Sequence, residues 1–187
     1  MTAPTLSLTE SQTLIAVRAF VLAAIGDDGT TIEVVRGQDN RVAPPSTDNY
    51  IVMTPMHRAL LETPTTTYHD GALDPTPGQS ARMDKAPATV DVQLNFHGDG
   101  SHDLCTLVQS LVRTTFATEA FEASGFDVTP LYAGEPHQAA FVNAEQQVEN
   151  TWVFDLSVQC NPIVTSDQDF ATGLAVGVIS VDAAYPA

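Results

Sequence analysis

The stretch Val90-Asp91-Val92-Gln93-Leu94-Asn95-Phe96-His97 alternates apolar and polar residues without a break. Side chains of a strand point to opposite faces in turn, so this run reads as a β-strand with one face on a core and one toward solvent. A second run repeats the pattern: Trp152, Phe154, Leu156, Val158 and Cys160 alternate with Val153, Asp155, Ser157 and Gln159. Asn161-Pro162 then ends that strand, because proline lacks the N–H that a ladder needs. Two strands of this kind call for a sheet with a second layer on their apolar face.

Helices supply that layer. Leu14, Val17, Val21 and Ile25 recur at helical spacing from Ser11 to Ile25, and Ile15 and Leu22 widen the apolar face. Ser7 with Glu10, or Thr9 with Gln12, forms a capping-box pattern ahead of it, and Gly26 with the Asp27-Asp28-Gly29 turn ends it. After the turn Gly98-Asp99-Gly100-Ser101, a stripe of Leu104, Leu107, Val108, Leu111, Val112 and Phe116 predicts a second helical stretch that closes at Gly125.

Weaker strand signals fall at Thr31–Arg36, Tyr50–Thr54, Thr63–His69 and Val128–Tyr132, and an apolar run at Leu174–Val181 reads as an interior strand. Residues 37–49, with Pro44-Pro45, read as a loop, as does the stretch through Gly134-Glu135-Pro136. Residues 71–87, with Pro75, Pro77 and Pro87, read as the tip of a long hairpin near 63–97. The expectation is one α+β domain over residues 1–187, a mixed or mainly antiparallel sheet with two main helices packed on it.

The chain has 187 residues, 23 Asp and Glu against 7 Lys and Arg, and a net charge of −16. All seven cations lie within residues 1–113; from Thr114 on there are ten acids and no Lys or Arg. Such a chain lacks the cations that neutralise phosphates, which argues against gripping nucleic acid or an anionic membrane. No apolar run is long enough to span a bilayer, and MTAPTLSLTE lacks the basic start and apolar core of a signal peptide. A soluble protein used without secretion is expected. Cys105 and Cys160 form no CxxC and read as small buried apolar residues.

The best candidate for chemistry is His97-Gly98-Asp99-Gly100-Ser101-His102-Asp103, two imidazoles and two carboxylates within seven residues. Such groups suit a metal, but Asp99, Ser101 and Asp103 have ordinary uses in turns and helix caps. His57, His69 and His137 are isolated and read as surface residues, and nucleotide-loop, nucleophile-elbow and zinc-protease signatures are absent. A small metal-dependent enzyme using His97 and His102 is therefore the minor alternative, and no cofactor is expected. Arg36 and Arg41 stand out: in so acidic a chain a guanidinium is a natural partner for a carboxylate, on a neighbouring subunit or within the same chain.

Taken in order, Ile32-Glu33-Val34-Val35-Arg36-Gly37-Gln38-Asp39-Asn40-Arg41, Pro44-Pro45, Tyr50-Ile51-Val52-Met53, Val90-Asp91-Val92-Gln93-Leu94 through His97-Gly98, Leu131-Tyr132, Phe141-Val142-Asn143-Ala144-Glu145-Gln146-Gln147, Trp152 and Asn161-Pro162 resemble the neck terminator, or tail terminator and tail completion, proteins of long-tailed bacteriophages. Order and spacing carry this resemblance; no single piece is diagnostic.

It implies a structural virion protein with no catalytic residue. Such a protein caps the tail tube as a ring, usually a hexamer, stops tube polymerisation and forms the docking surface for the head's connector. The implied partners are further copies of the chain, the tail tube protein, a neck or connector protein and, as a further candidate, the tail sheath. Genomic DNA passes through without specific binding. The implied location is the neck of the virion, after assembly in the host cytoplasm. Another neck or tail tube ring protein is the nearer alternative. Arg36, Gln38, Asn40, Arg41, Glu145, Gln146 and Gln147 are the candidate subunit or partner interface, together with the 37–49 loop and the 71–87 tip.

Overall fold

The structure, a computed structural model, describes residues 3–37, 45, 47–71, 80–142 and 148–169. Among them the chain order is β1 (Thr5–Leu6), α1 (Glu10–Ile25), β2 (Glu33–Arg36), β3 (Tyr50–Leu60), β4 (Thr65–His69), β5 (Ala81–Lys85) and β6 (Ala88–His97). It continues with α2 (Ser101–Leu111), α3 (Thr115–Ala123), β7 (Val128–Ala133), β8 (His137–Val142), β9 (Val148–Cys160) and β10 (Ile163–Asp167). The fold is α+β, as the sequence predicts. The expected strand at Leu174–Val181 lies outside the described residues.

A six-stranded sheet forms the body in the order β2-β3-β6-β9-β7, with β8 pairing the first half of β9. All its pairs are antiparallel except β2 with β3. The two alternating runs that decided the fold lie side by side, Val92 opposite Leu156 and Leu94 opposite Phe154. Their apolar sides pack against the helices around Phe20, Val108 and Phe121, all fully buried or nearly so.

Helix α1 starts on a capping box between Thr9 and Gln12, one of the two expected pairs, and ends at Gly26 with φ of 67°. Ile15 does not widen its buried face; that side chain is exposed. The second helical stretch is two helices instead of one. Thr114 takes an extended backbone, and its hydroxyl donates to the Leu111 carbonyl at 2.7 Å, diverting a helical acceptor and ending α2.

Three neighbouring strands then continue past the body. β3 leads through residues 61–64 into β4, β6 is entered from β5 through 86–87, and β9 leads through 161–162 into β10. Each junction holds a proline: Pro64, Pro87 and Pro162. Hydrogen bonds bridge the break, Leu61 N–H to the Pro87 carbonyl at 2.9 Å and Ala86 N–H to the Pro162 carbonyl at 3.0 Å. Beyond it the strands form a four-stranded antiparallel sheet, β1-β10-β5-β4, here called the arm. Residues 81–85, expected within the 71–87 tip, are instead a ladder strand paired with β4. Residues 72–79 lie outside the described residues.

Candidate functional site

The His97–Asp103 segment does not gather a metal-binding set. His97 ends β6 on the side of the sheet that alternates away from the helices, opposite Thr151 of β9. Its ring is buried, stacks on Tyr50 with centroids 4.4 Å apart, and sets Nδ1 3.2 Å from the Thr151 hydroxyl and 3.5 Å from Glu149 Oε1. Burial holds the His97 imidazole below its ordinary pKa, and the Glu149 carboxylate opposes that shift. The Tyr50 phenol is pushed up by burial, with Glu149 adding to it.

His102 lies on the helix side. Its ring meets the edge of Trp152 at 4.6 Å, and its Nδ1 sits 3.1 Å from the adjacent Asp103. The two imidazoles therefore occupy opposite faces of one sheet. Among the described residues no three His, Cys, Asp or Glu side chains come together as a metal site.

The glycine between these histidines has a packing role. Gly98 has φ of 97°, and a Cβ there would stand 2.3 Å from the Asp48 carbonyl oxygen. Asn49 Oδ1 accepts from Gly100 N–H at 3.1 Å, so the end of the 37–49 segment is pinned against the turn into α2. Both cysteines are buried as expected. Burial pushes the Cys105 thiol up to about 12 and raises Cys160 too, so neither is a reactive thiolate.

Of the candidate interface residues, Arg36 is described. It ends β2 on the surface, and its guanidinium forms an ion pair with Glu10 of α1 in the same chain. Gln38, Asn40, Arg41, Glu145, Gln146 and Gln147 lie outside the described residues; 143–147 join β8 to β9, which pair from Val142–Val148 to His137–Val153. His57 and His137 are exposed, and His69 is half-buried in β4.

Of the arm, sequence reasoning finds β4 but misses β1, β5 and β10. Its strands carry few buried residues, so they lack the hydrophobic period that reveals β6 and β9. Leu6, Tyr68 and Val164 are exposed there, as is Leu60 at the end of β3 where the arm begins. At the foot of the arm, where α1 begins, an open cavity of about 460 Å³ lies between Leu6, Leu8, Met56, Arg58, Val90 and Pro162, among others. No helix among the described residues is long and apolar enough to cross a membrane.

A family model described as phage neck terminator protein matches residues 12–182, most of the chain, and the chain belongs to that family. No curated protein matches it.

Proposed function

We propose that this chain, as a phage neck terminator protein, closes the tail as a ring, most simply a hexamer, that sits on the last layer of tube subunits and offers its other side to the neck. The observation that carries this reading is the family match along residues 12–182. An α+β body with an arm extending from it suits the task, because a rigid sheet can hold contact surfaces at fixed distances while the arm reaches a neighbour. Polymerisation stops when the ring covers the tube end without repeating the tube's own binding surface. Partners are then further copies of this chain, the tube protein, a neck or connector protein and, in a sheathed tail, the sheath.

Arg36, Gln38, Asn40, Arg41, Glu145, Gln146 and Gln147 remain the candidate contact residues, with the segment joining β4 to β5. The Arg36–Glu10 pair fits such a role if a partner's carboxylate competes for the guanidinium. The net charge of −16 suits a ring that DNA crosses without sticking, since acids facing a lumen repel phosphate. Replacing lumen acids by lysine then slows DNA ejection; unchanged ejection kinetics would count against an acidic lining.

The deciding experiment is the mass of the purified chain, alone and with tail tubes. A closed ring, or capture at tube ends that fixes tail length, supports the reading. Open cylinders formed by the chain alone identify a tube protein instead. Removing residues 72–79, which leaves the β4–β5 ladder in place, tests the hairpin tip: intact rings and intact length control remove it from the contact surface.

A further inference from the structure

We propose that the uncovered face of the arm is the socket for a second copy of this chain, and that the plug is the acidic α3 side of that copy. The inference rests on the ring reading above and names the surfaces that make it.

Strand alternation identifies the socket. In the body, Val90, Val92, Leu94, Cys160, Val158 and their neighbours face the helices. Continued past the proline break, the same face of the arm carries Val164, opposite Leu6 on one side and Asp84 on the other, and Arg82 opposite Tyr68. Leu60 and Arg58 lie on this face too, since they pair with Ala88 and Val90. The helix layer does not follow. Helix α1 begins at Glu10, beside the 460 Å³ cavity at the arm's foot, and none of the described helices packs extensively on an arm strand. The face is left with Leu6 52%, Leu60 61% and Tyr68 62% exposed. A sheet face of this kind is completed by a second layer.

Charge selects the occupant. Two chains of net −16 repel, so a contact in which the scarce cations of one copy meet acids of the other is favoured. Arg58 and Arg82 stand on the uncovered face. Arg58 has no ion pair among the described residues, and Arg82 is held toward Asp84 at 3.0 Å with its side chain still 46% exposed. Glu10, which lines the cavity beside Arg58, is engaged by Arg36. Opposite chemistry lies on α3. Exposed Phe116, Glu119 and Ala123 recur there at i, i+3 and i+7, and Glu122 stands beside them. An open cleft of about 270 Å³ next to this helix is edged by Glu122 and Asp127.

Seating α3 of one copy on the arm of the next extends the helix layer over the bare face and brings Arg58 and Arg82 to Glu119 and Glu122. Socket and plug share no residue, so the contact is heterologous. Repeated by a rotation that closes, it generates a ring.

Charge reversal tests this in the full chain, with thermal melts confirming that each variant folds. Arg58→Glu with Arg82→Glu makes an acidic socket; Glu119→Lys with Glu122→Lys makes a basic plug. Each double variant alone sets like charges face to face and is expected to weaken assembly roughly tenfold or more. An equimolar mixture restores it, because every contact in an alternating ring is again complementary. The readout is mass by light scattering, or occupancy of purified tail tubes if the wild-type chain closes only there. Double variants that assemble like wild type overturn the assignment of surfaces and leave the ring reading standing. Variants that form rings but no longer bind tubes assign the arm face to the tube protein and also overturn it. A wild-type chain that closes in neither setting overturns the ring reading itself.

Discussion

The body and the arm are two lengths of the same three strands, and they differ in what lies over them. In the body, Phe154 of β9 sits beneath the helices and is fully buried. Ten residues on, and on the same side of the sheet, Val164 of β10 is 37% exposed. Backbone pairing is equivalent in both, a continuous antiparallel ladder. Pairing alone therefore makes a strand but not a core: the apolar face has to meet a second layer before it contributes much. The three prolines mark the border, each placed where one strand lets go of its ladder and the next begins.

The largest expected effect lies in the body. Phe154→Ala removes a ring that stacks on Phe96 at 5.7 Å in a closely packed interior, and it is expected to cost about 3–5 kcal/mol in urea unfolding. A loss below about 1 kcal/mol would mean that the body is as loosely packed as the arm, and the distinction would collapse.

Next comes the turn that joins body strand to body helix. Gly98→Ala forces a side chain into a left-handed backbone and against the Asp48 carbonyl, with an expected cost of about 2 kcal/mol. Asn49→Ala, which removes only the acceptor for Gly100 N–H, is expected to cost about 1 kcal/mol in the same denaturant series. If the two cost the same, the close approach at Gly98 is relieved by movement of residues 47–49, and the turn is softer than its geometry implies.

The body's polar face offers a pH-dependent test. Burial lowers the His97 pKa, so the unfolded chain binds a proton more readily than the folded one. The sign follows: the contribution is present above the unfolded value near 6.5 and is lost as pH falls from there toward the lower folded value. Wild-type protein is expected to lose stability between about pH 7 and pH 5 by an increment absent from His97→Gln. Identical pH profiles for the two would show that Glu149, 3.5 Å away, cancels the burial.

The same contrast explains what was legible in the sequence. β6 and the greater part of β9 are plain in the alternation because one face of each is buried, and α1 is plain because Leu14, Val17 and Val21 repeat on its packed side. β5 and β10 are not, since strands without a fully buried residue need no strict apolar period, and Pro162 reads as an end when it is only a break. β3 runs on through Pro55, which stays in register with Val92, and a bulge at Met56 shifts the pairing before His57 resumes it opposite Asp91. The candidate interface was legible only as charge economy: Arg36 reads in the sequence as a cation pairing within its own chain or with a neighbouring subunit, and Glu10, 26 residues away, pairs with it.

The smallest expected effect is the most discriminating. Val164→Ala deletes two methyl groups from a strand residue opposite Leu6, with no helix above it, so little surface returns to water and no cavity forms. The expected change in the stability of the isolated chain is within about 0.5 kcal/mol. The comparison with Phe154→Ala holds pairing type and sheet face constant and varies only the covering layer. A loss near that of a core truncation would show that the arm is covered within one chain. A negligible loss in the dilute chain, growing once the chain is assembled, would place the missing layer on another molecule.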